Sequence, residues 1–345
     1  MDGVDEPKLL IEGVASPHGY ALRPSEAELL EEAEVVFWVG PQIETFLDDA
    51  LPSLAHHADV VRMDATDGLT QLEFREGGVW AAHDHDHGDH DHGDHDHDDH
   101  AEHDHDHEDH AEHDHDDHAE NDHDDHDHAE HDHDHDHEDH AEHDHGDEHA
   151  DHDHDHEDHA EHAHDDHDHA HGAFDAHIWM DPENAKVMVG AIVAALSEHD
   201  PDHADAFAAN GEAMISELDE LSAEIEEMLE PVLGEPFIVF HDAYQYFEAR
   251  YGLAGVGSIT LDPEIPPGAG RVSELREIIE DRGAVCVFSE PQFAPRIVTT
   301  LIDGTDVDTA VLDPLGANIA PGTDHYAEMM RANARAMVEC LGGTS

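Results

Sequence analysis

Residues 83–171 consist almost entirely of alternating histidine and carboxylate side chains, as in the stretch HDHDHDHEDHAEHDHG at 131–146. This tract holds 35 of the chain's 43 histidines and 41 of its 90 acidic residues, and it contains no lysine or arginine. It also has no apolar side chain larger than alanine. Because a chain with no apolar surface to bury cannot offset the entropy lost on folding, we expect the tract to be a disordered insertion.

The tract separates two regions in which short strand patterns alternate with helical patterns. We assign residues 1–82 to a first lobe, 83–171 to the disordered loop, and 172–200 to the end of the first lobe. Residues 201–233 are expected to form a bridging helix, and residues 234–345 a second lobe. The predicted fold class is therefore α/β, with two small α/β lobes joined by one long helix and a cleft between them.

Local patterns in the first lobe predict strands at 7–13 and 34–40. Between them lies a helix for which Ser25 is the expected N-cap and Glu28 the acidic partner three positions later. After the tract, Asp181-Pro182 is a typical helix start, since proline favours the first helical turn.

Apolar side chains recur at helical spacing over 203–229, which predicts a helix roughly 40 Å long. The second lobe alternates strands and helices. Its strands are predicted at 237–240, 284–290 and 309–316, and its helices at 242–252, 271–283, 295–305 and 324–341.

Charge and composition exclude several classes of partner. The formal net charge is −78, and such an acidic chain is a poor ligand for nucleic acid or anionic membranes. The longest apolar run, VMVGAIVAAL at 187–196, is about half of what a bilayer span requires. The start MDGVDEPKLL lacks the basic and apolar regions of a signal peptide. Cys286 and Cys340 suit either a disulfide or buried thiols, since they lack the close spacing of a zinc knuckle.

Eight histidines lie outside the tract, and three of them, His18, His177 and His241, stand at junctions that lead into helices. Ligands of open α/β sheets bind where strands end, so these three are candidates for a metal site in the cleft. Neutral imidazole suits zinc, copper, nickel or iron. Asp313, after the strand VLD, and Glu290, after CVFSE, are alternative fourth ligands, and the pattern does not choose between them.

Five motifs outside the tract resemble a known family. SPHGYALRPSEAELLEEAEVVFWVGPQIETFL, HIWMDPENAK, FIVFHDAYQYFEARYGL, CVFSEPQF and VLDPLG are similar, in this order, to the zinc-binding proteins of ABC importers, the ZnuA type. The resemblance implies two lobes bridged by one helix, with metal ligands at His18, His177 and His241. Histidine at the third position is the zinc pattern, because manganese and iron relatives carry glutamate there. Asp313 matches a carboxylate ligand of relatives, although water takes that place in some members.

The resemblance has further implications. It pairs Cys286 with Cys340 in a disulfide and places the protein in the periplasm. Relatives begin with a signal peptide followed by a strand and a helix, so we expect this sequence to be incomplete at its N-terminus.

The expected function is capture of Zn²⁺ and its delivery to the membrane permease of an ABC importer, by a monomer and without catalysis. The tract would gather zinc at weak accessory sites. Examples are His131, His133, His135, His137, His140, His143 and His145.

Three other functions are alternatives. One is a metal store or chaperone in which the tract is the main functional element. Another is a receptor of the same fold for manganese, iron or nickel. A zinc hydrolase would need an open coordination position and a base such as Asp242 or Glu290, and the sequence has no HExxH motif.

Overall fold

The computed structural model describes residues 1–75, 77–80, 174–294 and 296–343. The His/Asp tract lies outside the described residues. The seven accessory histidines at 131–145 therefore lie outside them as well.

The first lobe is built around two parallel strands, β1 (Val35–Trp38) and β2 (Asp59–Arg62). Helices α1 (Pro24–Glu32) and α2 (Thr45–Leu54) connect to these strands and contact each other. The apolar faces of these elements meet in a small core. Its buried side chains are Leu30, Val36, Trp38, Leu47, Leu51 and Ala55.

Two local predictions for the first lobe are wrong. Residues 7–13 form no strand, because neither strand of the first-lobe sheet pairs with them; the chain bends at 10, 11 and 13, and Leu9 is half exposed. Helix α1 begins at Pro24 with Arg23 as its N-cap, two residues before the predicted N-cap Ser25. Proline occupies the first helical position because its fixed φ suits the helix and its missing N–H needs no partner there. Glu26, not Glu28, accepts the Arg23 backbone N–H at 2.8 Å.

Helix α3 (Pro182–His199) starts at the predicted position, where the Asp181 carboxylate accepts the Glu183 N–H at 2.9 Å. The long helix is α4 (Ala204–Leu229), 26 residues or about 39 Å. It packs against α3, which contacts β1 and β2, and against α8 (His325–Leu341) of the second lobe. The prediction of one long helix that spans both lobes is confirmed.

The second lobe contains a four-stranded parallel sheet in the order β4-β3-β5-β6. Its strands are β3 (Pro236–His241), β4 (Ala254–Thr260), β5 (Cys286–Ser289) and β6 (Asp308–Val311). Its remaining helices are α5 (Gln245–Tyr251), α6 (Ala269–Arg282) and α7 (Arg296–Ile302). The disulfide implied by the resemblance is present: Cys286 of β5 is bonded to Cys340 of α8.

A four-residue segment just before the tract, residues 77–80, pairs with the second lobe. We call this segment the strap. Val79 forms an antiparallel bridge with Gly257 of β4, and Trp80 N–H donates to the Val256 carbonyl at 3.0 Å. A Cβ at position 257 would lie 2.6 Å from the Gly78 carbonyl oxygen, so glycine permits this close approach. The strap, which the sequence assigned to the first lobe, thus lies on the edge of the second-lobe sheet.

In the part of the chain that the structure describes, no helix combines the length and apolar character needed to cross a bilayer.

Candidate metal centre

The three candidate histidines converge between the lobes. The ring centroids are 5.5 Å apart for His18 and His177, 5.6 Å for His18 and His241, and 5.2 Å for His177 and His241. One ring nitrogen from each residue lies within 4.8 Å of the other two. His177 and His241 are buried and His18 is half-buried. Three imidazoles from distant parts of the sequence therefore face one point.

Two carboxylates hold the buried rings. The Asp175 Oδ1 atom lies 2.7 Å from His177 Nδ1, and Glu290 Oε1 lies 2.8 Å from His241 Nδ1. Within the described residues, the Nε2 atoms of both histidines are buried and have no hydrogen-bond partner. A carboxylate on Nδ1 fixes the tautomer that leaves the Nε2 lone pair free for a metal ion.

The positions of His241 and Glu290 follow from the sheet. His241 ends β3, Glu290 directly follows β5, and the two strands are parallel neighbours. Their carboxyl ends therefore meet at one edge, where α/β proteins place ligand sites. The sequence offered Glu290 as an alternative metal ligand, and the structure places it behind His241, where it orients the ring.

Asp313 is not brought into the histidine group. Its carboxylate accepts hydrogen bonds from the backbone N–H of Leu315 at 3.1 Å, from that of Ala317 at 2.7 Å, and from Gln292 Nε2 at 2.8 Å. A carboxylate that accepts hydrogen bonds from main-chain N–H groups two and four residues ahead stabilises the turn that follows it. That turn carries Pro314 and Leu315, which line the pocket beside the histidines.

Burial sets the protonation of the rings. It lowers the pKa of His18 to about 2, with repulsion from His177 and His241 adding to the effect. Burial and the nearby His177 also hold the pKa of His241 well below 6.5. For His177 burial again lowers the pKa, but the attached Asp175 carboxylate outweighs it and the net shift is upward. At neutral pH, His18 and His241 are therefore neutral, as metal ligation requires.

The space between the rings admits little more than an ion. The cavity is about 10 Å³, close to one water-sized sphere. Its walls include Pro17, Trp179, Phe293 and Leu315. Such a volume fits a single metal ion.

Asp242, the candidate base of a hydrolase, forms a buried ion pair with Arg75. Both of its oxygens accept hydrogen bonds from Arg75, whose Nη1 also lies 2.7 Å from Glu248 Oε2. The Arg75 guanidinium lies 3.4 Å from the ring centroid of Trp80 in the strap. Burial raises the pKa of Asp242 to about 6, against the opposing effect of Arg75. This network fixes the chain beside His241 and links it to the strap.

Sequence reasoning missed Asp175 and Arg75. A signal for Asp175 exists in the local pattern DAH, because an acidic residue two positions before a ligand histidine can reach its Nδ1. No comparable local signal exists for Arg75, whose partners Asp242 and Glu248 are 167 and 173 positions away.

Comparison with known families and proteins supports a zinc-uptake reading of this geometry. The family model of ZnuA, the periplasmic component A of zinc-uptake complexes, matches residues 2–340. A high-affinity zinc uptake system protein ZnuA of Brucella abortus strain 2308 is 43% identical over 341 residues, which cover 99% of this chain and 86% of that protein. The Yersinia pestis protein of the same description is 32% identical over 340 residues, with 99% and 86% covered.

Solved structures show the same fold. A crystal structure of ZnuA has a TM-score of 0.62 at 20% identity, covering 96% of this chain and 89% of that chain. The periplasmic zinc-binding protein TroA of Treponema pallidum has a TM-score of 0.65 at 17% identity, covering 99% and 92%. The predicted α/β fold class is thereby confirmed.

Proposed function

The chain belongs to the ZnuA family of periplasmic zinc-uptake components, and from this premise we propose that His18, His177 and His241 capture one Zn²⁺ ion for delivery to the permease of an ABC importer. The observation that carries the proposal is the convergence of three imidazole nitrogens within 4.8 Å, two of them buried without a partner in the described part of the chain. Zinc in proteins prefers a tetrahedral site with nitrogens at about 2.0–2.1 Å.

The fourth coordination position of the zinc ion can be filled by water or by a carboxylate. Because Asp313 is engaged by Gln292 and by two main-chain N–H groups, we infer that water is the fourth ligand in the resting complex. Asp175 and Glu290 then orient the rings of His177 and His241 through their Nδ1 atoms, as outer-shell carboxylates do in other zinc sites.

The proposed setting is the periplasm, with the protein acting as a monomer and the importer's permease as its partner. An oxidising compartment agrees with the Cys286–Cys340 disulfide. The tract at 83–171 would serve this site as an accessory, because many weak histidine and carboxylate ligands close to one strong site raise the local zinc concentration.

Metal competition tests the proposal. Ligation by three imidazoles favours zinc over manganese, which prefers carboxylate and water oxygens and stands lower in the order of divalent affinities. Dialysis against equal free concentrations of both metals, with a chelator strong enough to empty weak sites, is expected to leave one zinc ion per chain and no manganese. Equal retention of manganese would refute a zinc-selective site.

A further inference from the structure

The two ends of the tract meet in a short main-chain clasp, which we call the neck: Leu72 and Glu73 on one side, Phe174 and Asp175 on the other. Glu73 and Phe174 form an antiparallel bridge, and the Asp175 N–H donates to the Leu72 carbonyl at 2.8 Å. Between the two sides the covalent connection runs through the whole tract. Because the two sides are about 100 positions apart along the chain, the neck depends on its noncovalent contacts.

One phenol hydroxyl joins both sides of the neck. Tyr246 of α5, which is fully buried, accepts the Leu72 N–H at 3.1 Å and donates to the Asp175 carbonyl at 2.6 Å. The hydroxyl therefore accepts one hydrogen bond from one side of the neck and donates another to the other side. Removing this oxygen takes the partner from a part-buried N–H and from a buried carbonyl, which is costly.

The neck is continuous with the metal centre. Asp175, whose main chain forms the clasp, also holds His177 through its side chain, with Oδ1 at 2.7 Å from Nδ1 and 3.0 Å from the His177 N–H. A displacement of Asp175 therefore displaces the support of a proposed zinc ligand.

Different contacts anchor the two sides of the neck, and on one side the buried residues Asp175, Ala176 and Ile178 lead into the core. The side that leads into the strap is fixed to the second lobe by the bridge from Val79 to Gly257 and by the ion pairs of Arg75 with Asp242 and Glu248. Any opening of the neck that displaces Phe174 and Asp175 also displaces the chain that leads to His177.

We propose that Tyr246 is a positioning residue that couples closure of the neck to zinc binding at the metal centre, an inference that rests on the proposed function. With the neck closed, Asp175 holds His177 ready for the ion. When the neck opens, that support is lost. Because coupling between two equilibria is reciprocal, zinc at the histidines in turn stabilises the closed neck.

The test uses the full-length protein and two matched variants on the same helix. Tyr246→Phe removes the clasp hydroxyl, and Tyr251→Phe removes a buried hydroxyl that faces Ser222 Oγ at 3.5 Å, away from the neck. Zinc affinity is measured against a competing chelator. Tyr246→Phe is expected to raise the zinc Kd about tenfold, the low end of the effect of losing an outer-shell partner, whereas Tyr251→Phe leaves it unchanged.

A second measurement needs no substitution. Hydrogen exchange of the Asp175 amide in the wild-type protein is expected to slow on addition of zinc, because bound zinc favours the closed neck. An exchange rate that zinc does not alter, or equal zinc affinities for the two phenylalanine variants, would overturn the coupling. If the proposed function itself is wrong, the result is different: His177→Ala leaves the zinc affinity of the site unchanged.

Discussion

Replacing His177 by alanine is expected to raise the zinc Kd of the metal centre by more than about 100-fold, beyond the ~10–100-fold that loss of an outer-shell partner costs. The substitution removes one of three nitrogen ligands and leaves the Asp175 carboxylate buried without its histidine. Competition with a chelator strong enough to empty the tract measures this loss directly.

His203→Ala is the matched control. His203 is half exposed and its Nδ1 pairs with Asp200 at 2.6 Å, at the start of α4. We expect it to bind zinc with the affinity of the unmodified protein. If both variants retained the tight site, or if both lost it, the metal centre would not be the group that the three histidines define.

Removing the disulfide is expected to lower the free energy of unfolding by roughly 4 kcal/mol, the value that the chain-entropy relation gives for the separation of 54 positions. The bond ties β5 in the second-lobe sheet to the last helix, and both cysteines are buried. Denaturant unfolding of the zinc-free protein is the appropriate measurement, because bound zinc would stabilise the folded state by itself.

Two forms of the protein separate the disulfide from the side chains that form it. The Cys286→Ala, Cys340→Ala variant loses the bond and two buried sulfur atoms, whereas reduction of the wild-type protein loses the bond alone. Both are expected to unfold at lower denaturant concentration than the oxidised protein. An unchanged midpoint after complete reduction would show that the bond does not stabilise the second lobe.

The long helix and the candidate histidines were predictable because their signals are local, whereas the convergence of the histidines was implied by the resemblance to a family. Apolar spacing over 203–229 marks α4, and strand ends mark His241 as a residue at the ligand edge of a sheet. His18 and His177 were identified by their junctions, and the resemblance to a family sharpened that choice. Their placement as three ligands of one zinc ion stays a prediction until binding is measured.

Strand β4 and the contacts of Arg75 were missed for physical reasons. Strand β4 contains two glycines, Gly255 and Gly257, which lower its strand propensity. Gly257 is there because the strap runs close against it, a contact between residues about 180 positions apart. Long-range pairings of this kind, including those of Arg75, leave no periodic trace in the sequence.

The fourth-ligand prediction shows a related limit. Asp313 and Glu290 both follow strands of one parallel sheet, so the topological rule points to both equally. What each carboxylate contacts depends on hydrogen bonds made after the chain turns: Asp313 accepts from the backbone of its own turn, and Glu290 lies against Nδ1 of His241. The role of each carboxylate therefore depends on the contacts of its own side chain, and strand order alone does not predict it.

A zinc titration of the full-length chain and of a chain lacking residues 83–171, each against a competing chelator, tests the central claim most directly. If the three histidines form the receptor site, both chains bind one zinc ion with the same high affinity, and only the full-length chain binds further ions weakly. Loss of the tight site with the tract, in a shortened chain whose circular dichroism shows that the lobes remain folded, would contradict this account and assign zinc capture to the tract.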